Sequence, residues 1–351
     1  MSRPLVDRIH LPGPNPSSHI KRRYLVYFIT GNPGLVEYYD AFLLHLYMIL
    51  GPENDRKLFS SENAFDIYAA SIPGFDFADP DNAYERWKRM GLNHAPPFSL
   101  NEVIDGMEAE LWGAVELTKR DGEQLEVIIM GHSLGSFITL ELIQRHRRRL
   151  ENGQNEPCVI TAGICLFATV VDIASSERGQ IFSALSKYIP LFQSLVPLLC
   201  NFVLSLVPNT LLNTIIHRID GLTGHCADVT TAFLKSKHGV TQALYMGADE
   251  MRQISSDKWD EEIWGAAHPS RTGIPRPKMF FYFGEKDHWV ADRTREDLMK
   301  FRGRGNGGDH WKPKMEIDQN GIPHGFCISH SIPIAEKVRQ YVKEIVEASP
   351  L

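Results

Sequence analysis

The chain has 351 residues, 43% of them hydrophobic, and a formal net charge of −6. That length and apolar content allow a large buried core, either as one sizeable domain or as a domain carrying an insertion. The acidic balance offers no basic field for nucleic acid, so no nucleic-acid partner is expected. Five cysteines (Cys158, Cys165, Cys200, Cys226 and Cys327) are scattered without paired metal spacing. They read as buried or incidental thiols of a reducing compartment, and no metal or other cofactor is expected.

Met1 to Lys21 is rich in Pro, Ser and Arg and has no apolar stretch, unlike a secretory signal. Tyr24 to Ile29 is a predicted strand, broken abruptly by Thr30-Gly31-Asn32-Pro33-Gly34. Helical periodicity then runs from Leu35 to Leu50. Glycines directly after a buried strand let the backbone turn and aim amides at a ligand. In a serine hydrolase this is where the first oxyanion donor arises. Pro33 has no N–H, so Asn32 is the candidate donor. The segment alone is equally consistent with a plain Asn-Pro-Gly turn.

Phe65 to Ala70 is the next strand, and the polar, aromatic, Pro-containing stretch from Ser71 to Pro97 reads as a loop over one rim. Ser99-Leu100-Asn101-Glu102 matches a capping box and opens a helix through Val103, Met107, Leu111, Val115 and Leu117. Leu125 to Met130 reads as a buried strand and runs into Gly131-His132-Ser133-Leu134-Gly135, with Phe137, Leu140 and Ile143 at helical spacing beyond it. Gly-x-Ser-x-Gly between a strand and a helix is the nucleophile elbow: the serine sits at a strained position, and side chains two residues away on either side would collide. The competing reading is an ordinary turn with an exposed serine; the flanking strand and helix favour Ser133 as a nucleophile. Arg145, Arg147, Arg148 and Arg149 crowd the end of this helix, where cations complement the helix dipole, a reading preferred to a phosphate site. Cys158 to Phe167 is a further strand.

From Ala168 the pattern changes. Tyr188 to Ile216 contains no charged residue, and a bilayer span needs only about 20 apolar residues. Pro190, Pro197 and Pro208 interrupt this stretch, however, and Gln193, Asn201, Asn209 and Asn213 are spread through it. Two or three short helices are therefore expected, forming a cap (170–270) whose apolar faces dip into a lipid surface. A fully buried helical cap is the alternative, and a single straight span is disfavoured.

Met279 to Phe283 is a strand that ends in Gly284-Glu285-Lys286-Asp287-His288-Trp289. The short strand Lys314 to Ile317 leads to Asp318 through Phe326, which includes His324, and a last helix spans about Ile334 to Val346. Strand followed by helix, repeated, predicts a mostly parallel sheet with helices on both faces. Ser133, Asp287 and His324 each fall just past a strand's C-terminal end, the edge where ligand crevices form in such sheets. Nucleophile, acid, histidine is also the chain order expected of an α/β-hydrolase. His324 would act as base, Asp287 would orient it, and the amides of Leu134 and Asn32 would hold the oxyanion. Asp292 is a rival for the acid, and His288, His310 and His330 are rivals for the base. Cys327 is a rival nucleophile that lacks an elbow.

Four stretches resemble the lipid droplet-associated hydrolase family, a branch of the α/β-hydrolases. They are Gly31-Asn32-Pro33-Gly34-Leu35-Val36-Glu37-Tyr38-Tyr39, the Gly131–Gly135 elbow, Phe281 to Trp289, and Ile322-Pro323-His324-Gly325-Phe326-Cys327. The elbow is generic; the Asn-Pro-Gly and Asp-x-Trp stretches are more specific. The chain departs from the family at Leu166-Phe167-Ala168-Thr169, where Leu-Phe-Pro-Thr is expected, and at Ser175 to Gly179, where Ser-Pro-Asn-Gly is expected. Both departures bear on the entrance to the cap. The resemblance implies a lipid-ester hydrolase at the cytosolic surface of lipid droplets and the endoplasmic reticulum. The ending Ser349-Pro350-Leu351 lacks the basic middle residue of a peroxisomal address and is read as chance.

Together these readings predict a single α/β-hydrolase domain over residues 1–351. It would be a cofactor-free serine esterase or lipase acting on sterol or glycerol esters through an acyl-enzyme. Two alternatives stay open: a catalytically weak droplet-surface binding protein, and an acyltransferase using the same acyl-enzyme.

Overall fold

Seven runs rich in β-branched and aromatic residues form one sheet: β1 (Arg8–Leu11), β2 (Arg22–Ile29), β3 (Asn63–Ala70), β4 (Gln124–His132), β5 (Val159–Leu166), β6 (Lys278–Phe283) and β7 (Lys314–Ile317). The computed structural model describes residues 3–15, 20–51, 63–77, 80–121, 123–189, 191–219, 222, 224–264, 272–304 and 311–348. The strand order is β1-β3-β2-β4-β5-β6-β7. Every neighbouring pair is parallel except β1 with β3. This is the α/β-hydrolase architecture that the strand–helix alternation predicts.

The helices in chain order are α1 (Asp40–Ile49), α2 (Pro80–Arg89), α3 (Leu100–Thr118), α4 (Leu134–Glu151), α5 (Glu177–Tyr188), α6 (Phe192–Leu206), α7 (Asn209–Ile216), α8 (His225–Lys235), α9 (Gly239–Gln253), α10 (Glu261–Trp264), α11 (Asp292–Arg302) and α12 (Ser331–Ala348). Side chains alternate between the faces of a strand, and β2 shows the result. Leu25, Tyr27 and Ile29 enter the core shared with α3 and α4, whereas Tyr24, Val26 and Phe28 enter the core shared with α1 and α12. A central strand covered on both faces has no polar side to present, which is why β2 and β4 read as continuous apolar runs.

Three local expectations change. The helix predicted from Leu35 begins as a 3-10 turn at Val36–Tyr39 and becomes α-helical only at Asp40. The predicted rim loop from Ser71 to Pro97 contains α2. Half of that helix is charged, and it is held by Arg86 bonding to Asp76 (2.5 Å) and to the Ser71 carbonyl. Strand β1 was not foreseen. It is a four-residue antiparallel edge whose Arg8 pairs with Glu110 of α3 at 2.5 Å. The capping box at Ser99 and Glu102 is present. Three of the four crowded arginines are taken up by carboxylates. Arg145 pairs with Asp105 and Glu108, Arg147 with Glu262, and Arg149 with Glu108 and Glu156.

Between β5 and β6 the chain builds α5 to α10, so the stretch Tyr188 to Ile216 is divided among short helices. Pro197 lies inside α6 and Pro208 precedes α7; Pro190 lies outside the described residues. Among the described residues no single helix is long and apolar enough to cross a membrane. Nor is the cap buried throughout. Leu195, Leu198, Leu199, Phe202, Val203 and Leu206 recur at helical spacing along α6, each at least 43% exposed.

A buried guanidinium ties the start of the sheet together. Arg23, 1% exposed, donates to Asp66 of β3 (2.6 Å), to Glu123 before β4 (2.6 Å) and to the Pro14 carbonyl (2.9 Å). Removing it would strand two buried carboxylates, and breaking a buried ion pair from one side costs about 3–5 kcal/mol. Arg23→Met is expected to lose stability in that range by urea denaturation. A loss below about 1 kcal/mol would show that the carboxylates find other partners.

Candidate active site

Ser133 sits between the end of β4 and the start of α4 with φ 53° and ψ −120°. A non-glycine residue held at such an angle costs about 1–3 kcal/mol and persists only where its surroundings enforce it. The surroundings here are backbone. A Cβ at Gly131 would stand 2.1 Å from the Gly135 carbonyl oxygen, and one at Gly135 would stand 2.3 Å from that of Ile29. Both glycines are therefore required by the close approach of β4, α4 and β2.

The hydroxyl of Ser133 lies 2.9 Å from His324 Nε2, and His324 Nδ1 lies 2.8 Å from Asp287 Oδ2. Asp287 Oδ1 accepts the Trp289 amide at 2.8 Å. Burial alone would raise the Asp287 pKa, but His324 and the Trp289 amide outweigh it and hold the carboxyl below its usual range. An ionised acid at Nδ1 fixes the imidazole proton there and leaves Nε2 to accept from Ser133. The structure thus brings Ser133, Asp287 and His324 into one hydrogen-bonded chain.

The rivals lie elsewhere. Asp292 is 72% exposed and pairs with Arg295, its own helix neighbour. His288 faces Glu177 at the surface, and His330 bonds to Ser329. His310 lies outside the described residues. Cys327 is buried, and burial pushes its thiol up to about 12, so it stays protonated.

Gly31 packs directly on Ser133: a Cβ added to it would lie 3.1 Å from Ser133 Cβ. Asn32 is the next residue, and its side chain donates to the Ala243 carbonyl (3.0 Å) and to Glu250 Oε1 (2.8 Å), both on α9. Leu134 is the first residue of α4, where amides lack an intrahelical acceptor. Above these groups lies a cavity of about 570 Å³, walled largely by Phe182, Phe233, Leu244 and Met251 of the cap.

Two site residues escaped sequence reasoning. His132 accepts at Nδ1 from the Tyr39 hydroxyl (2.7 Å), which itself accepts the Gly31 amide (3.2 Å). His132 Nε2 donates to the His324 carbonyl at 2.8 Å. This directional relay joins the loop after β2, the end of β4 and the loop after β7, yet in the sequence His132 is only the variable position of the elbow. Glu250, the other, follows Asp249 on an amphipathic helix, and no spacing marks it.

The family model for the lipid-droplet associated hydrolase matches residues 22–327. The chain belongs to that family. It is 23% identical over 325 residues to the lipid droplet-associated hydrolase of Mus musculus, covering 92% of this chain and 85% of that protein. To the corresponding Drosophila melanogaster protein it is 22% identical over 349 residues, covering 93% and 91%. Among solved structures it is similar to a peroxisomal alpha-beta-hydrolase of Saccharomyces cerevisiae (TM-score 0.58, 12% identity, covering 95% of this chain and 80% of that one). It is also similar to the juvenile hormone epoxide hydrolase of Bombyx mori (TM-score 0.55, 13% identity, covering 98% and 74%). At such identities these two support the fold alone.

His132 carries a pH signature. Burial, reinforced by repulsion from His324, lowers its pKa from 6.5 to about 3. The unfolded chain therefore binds a proton below about pH 6.5 that the folded protein refuses until about pH 3, so stability falls with acid across that window. Between pH 7 and 4.5 this group accounts for about 2.5 kcal/mol. His132→Gln, which keeps a donor and an acceptor, is expected to flatten the decline of the unfolding free energy, measured by urea denaturation, by that amount. An unchanged slope would mean that His132 is protonated when folded.

Proposed function

We propose that this hydrolase is a serine esterase acting on lipid esters at a lipid surface. The observation that carries the reading is the continuous Asp287–His324–Ser133 hydrogen-bond chain opening onto a largely apolar cavity. In the first half-reaction Ser133 Oγ attacks the ester carbonyl while His324 Nε2 takes its proton. The carbonyl oxygen becomes an oxyanion held by the amides of Leu134 and Asn32. Losing one such donor typically costs about 2.7–4 kcal/mol in barrier. Collapse expels the alcohol, protonated by His324, and leaves an acyl group on Ser133. Water then enters, gives its proton to His324 and attacks the acyl carbon. A second collapse returns the proton to Ser133 and releases the acid. Asp287 holds the imidazole tautomer and stabilises the imidazolium in both halves.

The location we propose is the cytosolic surface of lipid droplets and the endoplasmic reticulum. It is supported by the names of the relatives and by the apolar outer face of α6. Each large aliphatic or aromatic side chain moved from water into an apolar phase contributes about 1.5–3 kcal/mol. A few such residues on one helix face suffice for reversible binding.

Two experiments test these readings. A fluorophosphonate probe is expected to label the purified protein on a lipid emulsion and to leave Ser133→Ala unlabelled. Ester hydrolysis by that variant should fall by at least about 10³-fold. Absent labelling of the wild type would favour a lipid-surface binding protein, and product shifted to a new ester by added alcohol would favour an acyltransferase. Replacing Leu198, Phe202 and Leu206 together with serine is expected to release the protein from droplets in a flotation assay while probe labelling persists. Unchanged flotation would sink the surface assignment.

A further inference from the structure

The cavity contains one polar feature that ester hydrolysis does not use. Ala243, Gly247 and Glu250 share one face of α9, which turns toward Ser133, and Glu250 is the acid among the apolar cap residues there. Its side chain is 4% exposed. Oε1 accepts from Asn32 at 2.8 Å, and Oε2 has no hydrogen-bond partner among the described residues. Asn32 Oδ1 is likewise buried and unpartnered. Asn32 Oδ1 is costly to leave open, because buried polar atoms are nearly always paired, and Glu250 lines the cavity with a carboxylate oxygen to spare.

We propose that Glu250 and Asn32 form a subsite for a free hydroxyl close to the scissile ester, so that the substrate is a hydroxyl-bearing lipid ester rather than a fully esterified one. The proposal rests on the serine-esterase reading above and narrows its substrate class. A neutral donor fits the surroundings better than an ammonium, because the walls are apolar and a single carboxyl would have to replace the cation's hydration. Burial pushes the Glu250 carboxyl up to about 7, so near neutrality it can also donate to the ligand oxygen. The reach is short. Asn32 belongs to the loop that touches Ser133, so the hydroxyl must lie within a few bonds of the reacting carbonyl. A partial ester of glycerol carries it on the alcohol side, and a 2-hydroxyacyl ester carries it on the acyl side.

Matched substrates separate these cases. Propyl oleate is 1-monoolein without its two hydroxyls, and propyl 2-hydroxyoleate adds one hydroxyl to the acyl half. A site built to bond a substrate hydroxyl discriminates against the analogue lacking it by up to about 10⁴–10⁵. In detergent solution, wild-type kcat/KM is expected to favour one hydroxylated ester over propyl oleate by at least about tenfold. Which of the two is favoured names the half of the substrate that is read. In Glu250→Leu that ratio should fall to near one. Glu250→Gln should keep most of it, because the amide still accepts from Asn32 and donates to the ligand oxygen.

A Glu250 that merely holds Asn32 in place would lower all three substrates together and leave the ratio intact, which would overturn the subsite. A wild-type ratio at or below one for both hydroxylated esters would overturn it without any variant, even if Glu250→Leu does not fold. Fluorophosphonate labelling of Ser133 keeps the two levels apart. Without labelling the esterase reading itself fails, whereas labelling and turnover with no preference removes only the subsite.

Discussion

The site depends on how closely three backbone segments approach one another. Gly135 leaves α4 no room above the Ile29 and Thr30 carbonyls, and Gly131 lies against the first turn of the same helix. With β4, α4 and the end of β2 locked together in this way, Ser133 has no relaxed conformation available and is held at positive φ. The strain does not favour folding. It is sustained by the cores on both faces of the sheet, into which β2 and β4 each send side chains. The same approach brings Gly31 against Ser133, so the amides proposed to hold an oxyanion arrive with Ser133 and not independently of it.

A second layer of order comes from hydrogen bonds that run in one direction. The Gly31 amide, the Tyr39 hydroxyl, His132 and the His324 carbonyl form a chain in which each donor has one acceptor. Because Nε2 of His132 must donate to a carbonyl, Nδ1 of the neutral ring must accept, and a charged His132 would have to reverse its bond with Tyr39. Burial among Phe167 and Phe326 enforces the neutral form. His324 is thereby held twice, by Asp287 at its ring and by His132 at its backbone. The loop of Asp318 through Phe326 is also fixed by Asp318, which accepts from the Tyr282 hydroxyl (2.6 Å) and the Ile322 amide (2.7 Å), and by the buried Ile322 and Phe326.

The parts of this fold that could be read from the sequence are those in which one residue type has one physical reason to be there. Buried strands announce themselves as apolar runs, the elbow glycines as a fixed spacing, and the Ser99 cap as a reciprocal pair. What could not be read depends on partners far away in the chain. Strand β1 is too short to show a period, and it persists through Arg8 reaching Glu110, about a hundred positions on. Helix α2 looks like a polar loop for a more local reason: it is held by Arg86, whose partners Asp76 and Ser71 lie in the turn before it. Arg23, His132 and Glu250 are buried polar residues whose partners lie on other elements. Hydrophobic periodicity is blind to such residues.

The cap shows the same limit in its apolar residues. The stretch from Tyr188 to Ile216 is uniformly hydrophobic, yet its side chains meet different surroundings. Along α6 only Pro197 is buried, whereas Leu212 and Ile216 of α7 pack with Ala227 of α8. Lys235 of α8 bonds to the carbonyls of Leu204 and Val207, so the end of α6 is anchored to a helix whose neighbours line the cavity. At its other end the insertion is tied to the acid loop, where the Arg178 amide donates to the His288 carbonyl at 2.9 Å. An apolar outer face and a cavity wall are thus two sides of one helical layer, attached next to Asp287. A displacement of that layer by a lipid surface would bear on the access of substrate to Ser133 and on the loop that orients His324. The departures at Ala168 and Ser175 to Gly179 sit at this junction. Ser176 caps α5 there, its hydroxyl accepting the Gly179 amide at 3.0 Å, so the altered sequence still makes a defined corner from which the cap departs.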